Sequence, residues 1–195
     1  MMVRSFIAIE VPPDVQQAIA SQTATLRQTI GTERVRWVAP HHIHLTLQFL
    51  GDVSPTNLEK IAEALQAEVA THHPFSLTVR GLGAFPNSRR ARVLWLGVDA
   101  PVNLLSLVRG IQAVNRRLGY PPEEREFSPH LTIGRVRPQV STMDLSIIRS
   151  ALENHPLEGY GQFLVEEVAI FKSDLKPTGP IYTLLYHLPL ANHSS

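Results

Sequence analysis

Hydrophobic and polar positions recur along this chain with two periods, and the switches between them mark out strands and helices. Ser5 to Val11 is apolar on both parities, the pattern of a strand covered on both faces. Pro12-Pro13-Asp14 opens a helical segment in which Val15, Ile19, Leu26 and Ile30 form a stripe that ends at Gly31. Trp37-Val38 reads as a short strand ended by Pro40, and Ile43 to Leu50 as a longer one stopped by Gly51-Asp52. Ser54 is a cap before a helix-starting Pro55, and Leu58, Ile61, Ala62, Leu65 and Val69 share one face behind it. Strands are predicted over Phe75 to Val79 and Val93 to Val98, with a loop from Gly81 to Arg92 between them. Helices follow over Asn103 to Leu118 and Met143 to Leu152, with a short strand inside Phe127 to Val136. Phe163 to Phe171 and Ile181 to Leu188 are closing strands joined by a turn through Pro177 and Gly179-Pro180, and Ala191 to Ser195 is a polar tail.

Helices and strands interleave, yet several strands follow one another directly. That order predicts an α+β fold with antiparallel sheet. No stretch rich in Gly, Ser or Pro divides the chain, so residues 1–195 are expected to form one domain.

Composition narrows the chemistry. With 195 residues and 44% hydrophobic content the chain can bury a core. The absence of cysteine excludes disulfides, cysteine-ligated metal centres and thiol catalysis. Net charge is only +1, so bulk charge does not mark a nucleic-acid binder, but 15 of the 18 basic residues are Arg, which forks onto phosphate better than Lys. The apolar run at the start is short and broken by Glu10, unlike a signal peptide, and no stretch is long enough to cross a membrane. A cytoplasmic protein without membrane contact is expected.

One pattern occurs twice, 86 residues apart: His44-Leu45-Thr46-Leu47 and His130-Leu131-Thr132-Ile133. On a strand, residues two apart share a face, so each His and Thr point together while the aliphatic residues root the strand in the core. If two similar halves face each other, the pairs meet across a cleft as two imidazoles and two hydroxyls. One imidazole can take a proton from an attacking oxygen while the other gives one to the leaving oxygen. The hydroxyls can donate to the non-bridging oxygens of a phosphoryl group. The set suits in-line displacement at a phosphodiester without metal or cofactor.

These residues identify the chain as resembling the two-histidine phosphoesterases, and within them the RNA 2′,3′-cyclic phosphodiesterases, also described as the 2′-5′ RNA ligase family. The similarity continues through Arg4 to Ile9, Arg36-Trp37-Val38, Phe49-Leu50-Gly51 and Gly81 to Pro86. Val93 to Gly97, Phe127-Ser128-Pro129, Arg135 and Gly179 to Tyr182 extend it over almost the whole chain. The resemblance implies two pseudo-symmetric lobes of antiparallel sheet with helices outside and the active site in the cleft between them. It further implies hydrolysis of RNA 2′,3′-cyclic phosphate ends to 2′-phosphates, and in some members reversible 2′-5′ joining of tRNA halves. Its usual assignment makes His44 the proton donor and His130 the acceptor, with Thr46 and Thr132 beside them; the residues alone do not distinguish the two roles.

Other positions follow from parity. Gln48, where relatives often carry Lys, shares a face with His44 and is expected in the cleft, where it costs a positive charge. Phe49 has core parity. Arg135 has the wrong parity for the pocket unless a bulge at Gly134 re-aims it. Arg90 and Arg92, with Arg89, are candidate contacts to the RNA backbone, and Tyr182 and Phe127 candidates for stacking a base. His42 and His44 have strand spacing for a metal, but no carboxylate lies near them in sequence, so no metal site is expected. A monomer is expected. An RNA-end binding module without turnover, or a phosphodiesterase for small cyclic nucleotides, would share many of these features.

Overall fold

The computed structural model describes residues 2–156, 159–176 and 179–191. Pro177 of the expected turn and positions 192–195 of the polar tail lie outside them.

The first strand, β1 (Val3–Glu10), is buried from Ser5 to Ile9, as its two-sided apolar pattern requires. Ile7 and Ile9 enter the main core, whereas Phe6 and Ala8 join a second cluster with Ala169 and Phe171 on the opposite face. The predicted single helix after it is two, α1 (Pro13–Gln22) and α2 (Ala24–Ile30). They meet at Thr23, whose hydroxyl donates to the Ile19 carbonyl at 2.7 Å, a local bond that competes with regular helix. A short strand β2 (Val35–Trp37) and a 3₁₀ turn (Pro40–His42) lead into β3 (His44–Val53). The capped helix is α3 (Pro55–Val69), with Ser54 Oγ accepting from the Asn57 amide at 3.2 Å.

Next come β4 (Phe75–Phe85), β5 (Val93–Val98), α4 (Val102–Arg117), β6 (His130–Val136) and α5 (Thr142–Glu153). Strand β4 therefore runs on through Phe85, well into the predicted loop. Gly81 takes φ +80° at a break in the β4–β5 register, and Gly83 lets the Trp95 ring lie across the strand where any Cβ would collide with it. The predicted strand Phe163 to Phe171 is two strands, β7 (Gly159–Val165) and β8 (Glu167–Lys176), before β9 (Gly179–Pro189).

Among the described residues all nine strands belong to one curled antiparallel sheet in the order β7-β4-β5-β6-β3-β1-β8-β9, with β2 added beside β6. The order is symmetric about the β6–β3 junction, with four strands on either side. These wings are the two expected lobes, but they are not the two halves of the sequence. Strands β4 and β5 from the first half join the β6 wing, and β8 and β9 from the second half join the β3 wing. That exchange splits the predicted strand, since β7 and β8 end in opposite wings. The helices pack on one face of the sheet: α1 against β7, and α3 against β8 and β9. The other face is left for the second cluster and the two His-Thr pairs.

Candidate active site

Strands β3 and β6 each begin with their histidine, and they pair through Leu45 and Leu131, both fully buried. Continuing that antiparallel register by one residue each way sets His44 opposite Thr132 and His130 opposite Thr46. The pseudo-twofold axis passes through the leucine pair, and each imidazole has the other copy's hydroxyl as cross-strand neighbour.

Each ring is oriented in the same way. His44 Nδ1 lies 2.8 Å from the His42 carbonyl, and His130 Nδ1 lies 2.7 Å from the Ser128 carbonyl. A carbonyl only accepts, so both Nδ1 atoms carry their proton and donate, which leaves Nε2 of each ring for the cleft.

Both strands are bulged at the same place. The β1–β3 register passes from Ala8↔Thr46 to Ile7↔Gln48, leaving Leu47 extra, and the β5–β6 register passes from Trp95↔Thr132 to Leu94↔Gly134, leaving Ile133 extra. Alternation reverses beyond each bulge. Gln48 is therefore buried on the helix side, where it accepts from Asn115 Nδ2 at 2.9 Å and donates to the Tyr120 carbonyl at 3.0 Å. The expectation that Gln48 faces the cleft is corrected, and with it the lost charge there. Phe49 is corrected as well: it is 52% exposed, near Phe6 on the cleft face, not in the core. Arg135 holds the equivalent place in the second copy and is exposed on the same face, re-aimed by the bulge.

The rings sit in different surroundings. His44 stacks on Phe6 at 4.9 Å and meets Tyr182 edge-on at 5.1 Å, with Phe171 behind. His130 meets Phe85 edge-on at 4.9 Å, and Phe85 leans on Trp95. Burial pushes the His44 imidazole down to about 4; the carbonyl of His42 opposes this, while the charges of His42, Arg135 and His130 add to it. Burial raises the Tyr182 hydroxyl, against the pull of Arg135 and Arg36. His42 is lowered by burial and by His41, and its ring meets Tyr182 edge-on.

Tyr182 thus contacts His44, and Arg135, turned by the bulge against simple alternation, is near enough for its charge to be felt there. Arg90 lies exposed in a 3₁₀ turn (Ser88–Arg90) that packs against α5, and Arg92 is exposed just before β5, its amide donating to the Phe85 carbonyl at 2.8 Å. Neither has a contact with a motif histidine among the described residues. Phe127 is half-buried against the main core. Parity arguments missed Phe6, Phe85 and Trp95; their aromatic character was visible, but their face depended on strand pairing. A group with metal-ligand chemistry does exist, made of Glu10, Glu167 and His187 with donor atoms within 4.8 Å of one another. It includes neither motif histidine.

Comparison with known proteins bears on the whole chain. The model of the LigT like phosphoesterase family matches twice, over residues 9–95 and 96–182, one match per motif copy. An RNA 2′,3′-cyclic phosphodiesterase of Methanothermobacter thermautotrophicus is 34% identical over 183 residues, covering 94% of this chain and 96% of the relative. One from Thermotoga maritima is 36% identical over 184 residues, covering 94% and 93%. Among solved structures, a protein of Thermus thermophilus superposes with a TM-score of 0.81 at 28% identity, covering 97% and 99% of the two chains. Escherichia coli LigT complexed with 3′-AMP superposes with a TM-score of 0.77 at 25% identity, covering 98% and 100%. Two matched repeats, relatives aligned along nearly their full length and a shared fold agree: the chain belongs to the LigT-like phosphoesterase family.

Proposed function

We propose that this chain opens the 2′,3′-cyclic phosphate at RNA ends with water, leaving a 2′-phosphate. The register of the two motifs carries the reading: continued one residue either side of the Leu45–Leu131 pair, it sets each imidazole across from a hydroxyl of the other copy, so a phosphoryl group between the strands would meet acid, base and two donors together. The names of its full-length relatives support the same substrate.

In the reaction, His130 Nε2 takes a proton from water as the water oxygen bonds to phosphorus. The P–O3′ bond breaks, and His44 gives its proton to O3′. Thr46 and Thr132 donate to the non-bridging oxygens, where charge grows in the transition state. Burial keeps His44 neutral in the empty cleft. The cyclic phosphate is an anion, and its charge beside the ring favours the imidazolium, so substrate and acid proton enter together. Arg135 adds a charged contact to the phosphate, and Tyr182 supports the ribose or base. An RNA 5′-hydroxyl in place of water would form a 2′-5′ linkage by the same bond changes, the route to joining tRNA halves. Both histidines come from one chain, so a monomer suffices. The chemistry assigned to these residues needs no metal.

The test is incubation of an RNA ending in a 2′,3′-cyclic phosphate, in chelator, with phosphorus NMR of the product. A 2′-phosphate is expected. A 3′-phosphate would reverse the orientation, and tight binding without turnover would make the protein an RNA-end binder.

A further inference from the structure

The arginines near β2 and β6 divide into two sets. Arg34 donates to Asp144 at 2.7 Å, Arg137 donates to the Thr32 carbonyl at 2.8 Å, and Arg27 donates to the Val38 carbonyl and covers the Trp37 ring. Arg36 and Arg135 have no hydrogen bond or ion pair among the described residues, and both are exposed. They are register partners across β2–β6, so their Cα atoms lie about 5 Å apart. Two adjacent guanidiniums without a carboxylate repel each other, and an anion relieves that repulsion.

Arg36 has its backbone anchored on both sides. Its neighbour Val35 is fully buried, and Trp37 packs over Gly134 in the main core, so alternation turns Arg36 to the opposite, cleft-facing side. The charges of both arginines are felt at Tyr182, which contacts His44, so they share the space above the reacting group. Strand β2 takes the same edge of β6 that β3 uses at Leu131, farther along at Gly134–Val136, so Arg36 lies along β6 past the His130–Thr132 pair.

We infer that Arg36 binds the phosphodiester one nucleotide upstream of the cyclic end, and so makes the enzyme prefer an oligonucleotide to a cyclic mononucleotide. This rests on the proposed activity. At a 3′ end the only neighbouring phosphate lies upstream, and a second cation beside Arg135 matches a second phosphate beside the first. Arg36 is a specificity residue here; it takes no part in the chemistry.

The experiment compares three substrates: cytidine 2′,3′-cyclic phosphate, a dinucleotide ending in the same group, and that dinucleotide with an uncharged methylphosphonate linkage. In the wild type, kcat/KM for the charged dinucleotide should exceed the other two by at least about tenfold, as expected for a charged hydrogen bond. Arg36→Gln should erase that gap and leave the mononucleotide unchanged. It should also flatten the dependence of log(kcat/KM) on log salt by about 0.7 for the charged dinucleotide alone. A gap that survives Arg36→Gln, or one shared by the methylphosphonate, overturns the inference and transfers the preference to base stacking. An equal loss on all three substrates overturns it too, by making Arg36 structural. Anisotropy binding of the same oligonucleotides reads the gap independently of turnover. A gap in binding without hydrolysis would reject the activity and keep Arg36.

Discussion

The two wings carry the same motif, the same bulge and the same Nδ1 anchor, yet they present different chemistry. In the β3 wing, four and five residues after the histidine, stand Gln48 and Phe49; in the β6 wing stand Gly134 and Arg135. Gln48 ties its bulge to α4 through Asn115, whereas Gly134 leaves room for Val35 and Trp37 of β2. The ring of His44 is walled by Phe6 and Tyr182, with Arg135 and Arg36 close enough to be felt there, whereas the ring of His130 meets Phe85. Symmetry places the two imidazoles and the two hydroxyls; what surrounds them differs from one copy to the other. Rings of β1, β8 and β9 and the guanidiniums of β2 and β6 thus meet beside His44, and Phe85 meets His130, so the two ends of the pseudo-twofold site are not equivalent.

The most severe way to break the comparison is to remove one imidazole at a time. His44→Ala and His130→Ala should each lower kcat by at least about 10²-fold with unchanged circular dichroism, because acid and base are both needed. Near-normal turnover in either variant would remove that wing from the chemistry. Thr46→Val and Thr132→Val should each lower kcat by roughly tenfold or more, with a smaller change in KM, since the hydroxyls serve most as charge moves onto the phosphoryl oxygens. Equal effects on kcat and KM across substrates would assign them to ground-state binding.

Asymmetry predicts a different response to pH. The folded His44 titrates near 4, below its ordinary 6.5. As pH falls, the unfolded chain takes up this proton first. The stability associated with a neutral buried ring is therefore full above about pH 6.5 and lost progressively down to about pH 4. The shift corresponds to at most about 3–4 kcal/mol. Urea denaturation at pH 7 and pH 4.5 should show a larger loss in the wild type than in His44→Gln, and equal losses would mean that the Phe6–Tyr182 wall does not desolvate the ring.

The smallest expected effect sharpens the contrast between Gln48 and Gly134. Gln48→Ala leaves Asn115 Nδ2 and the Tyr120 carbonyl without their partner and should cost about 1–3 kcal/mol of stability. Measured KM for a cyclic mononucleotide should change less than about twofold, because the side chain faces α4. A strong rise in KM would place the amide in the cleft after all.

Much of this was legible in sequence. The strand and helix patterns, the capped α3 and the paired His-Thr motifs are local features, set by period and spacing within a few residues. The match in residue type between the two copies ends at Leu47 and Ile133, after which they diverge to Gln48-Phe49 and Gly134-Arg135. Parity was a sound guide up to that point and failed past it. A bulge is defined by two strands, and the bulge partners of β3 and β6 lie far from them in sequence. The same reason hid the split of β7 from β8 and the aromatic wall around His44, whose members come from β1, β8 and β9. By itself the sequence determined that a His-Thr pair recurs and which elements bear the two copies, because side-chain type and local period suffice for that. Tertiary structure alone decided which face each residue beyond the bulge presents, which histidine is sheltered and which arginines stand together without a carboxylate, because those depend on strand register and on what packs against the sheet.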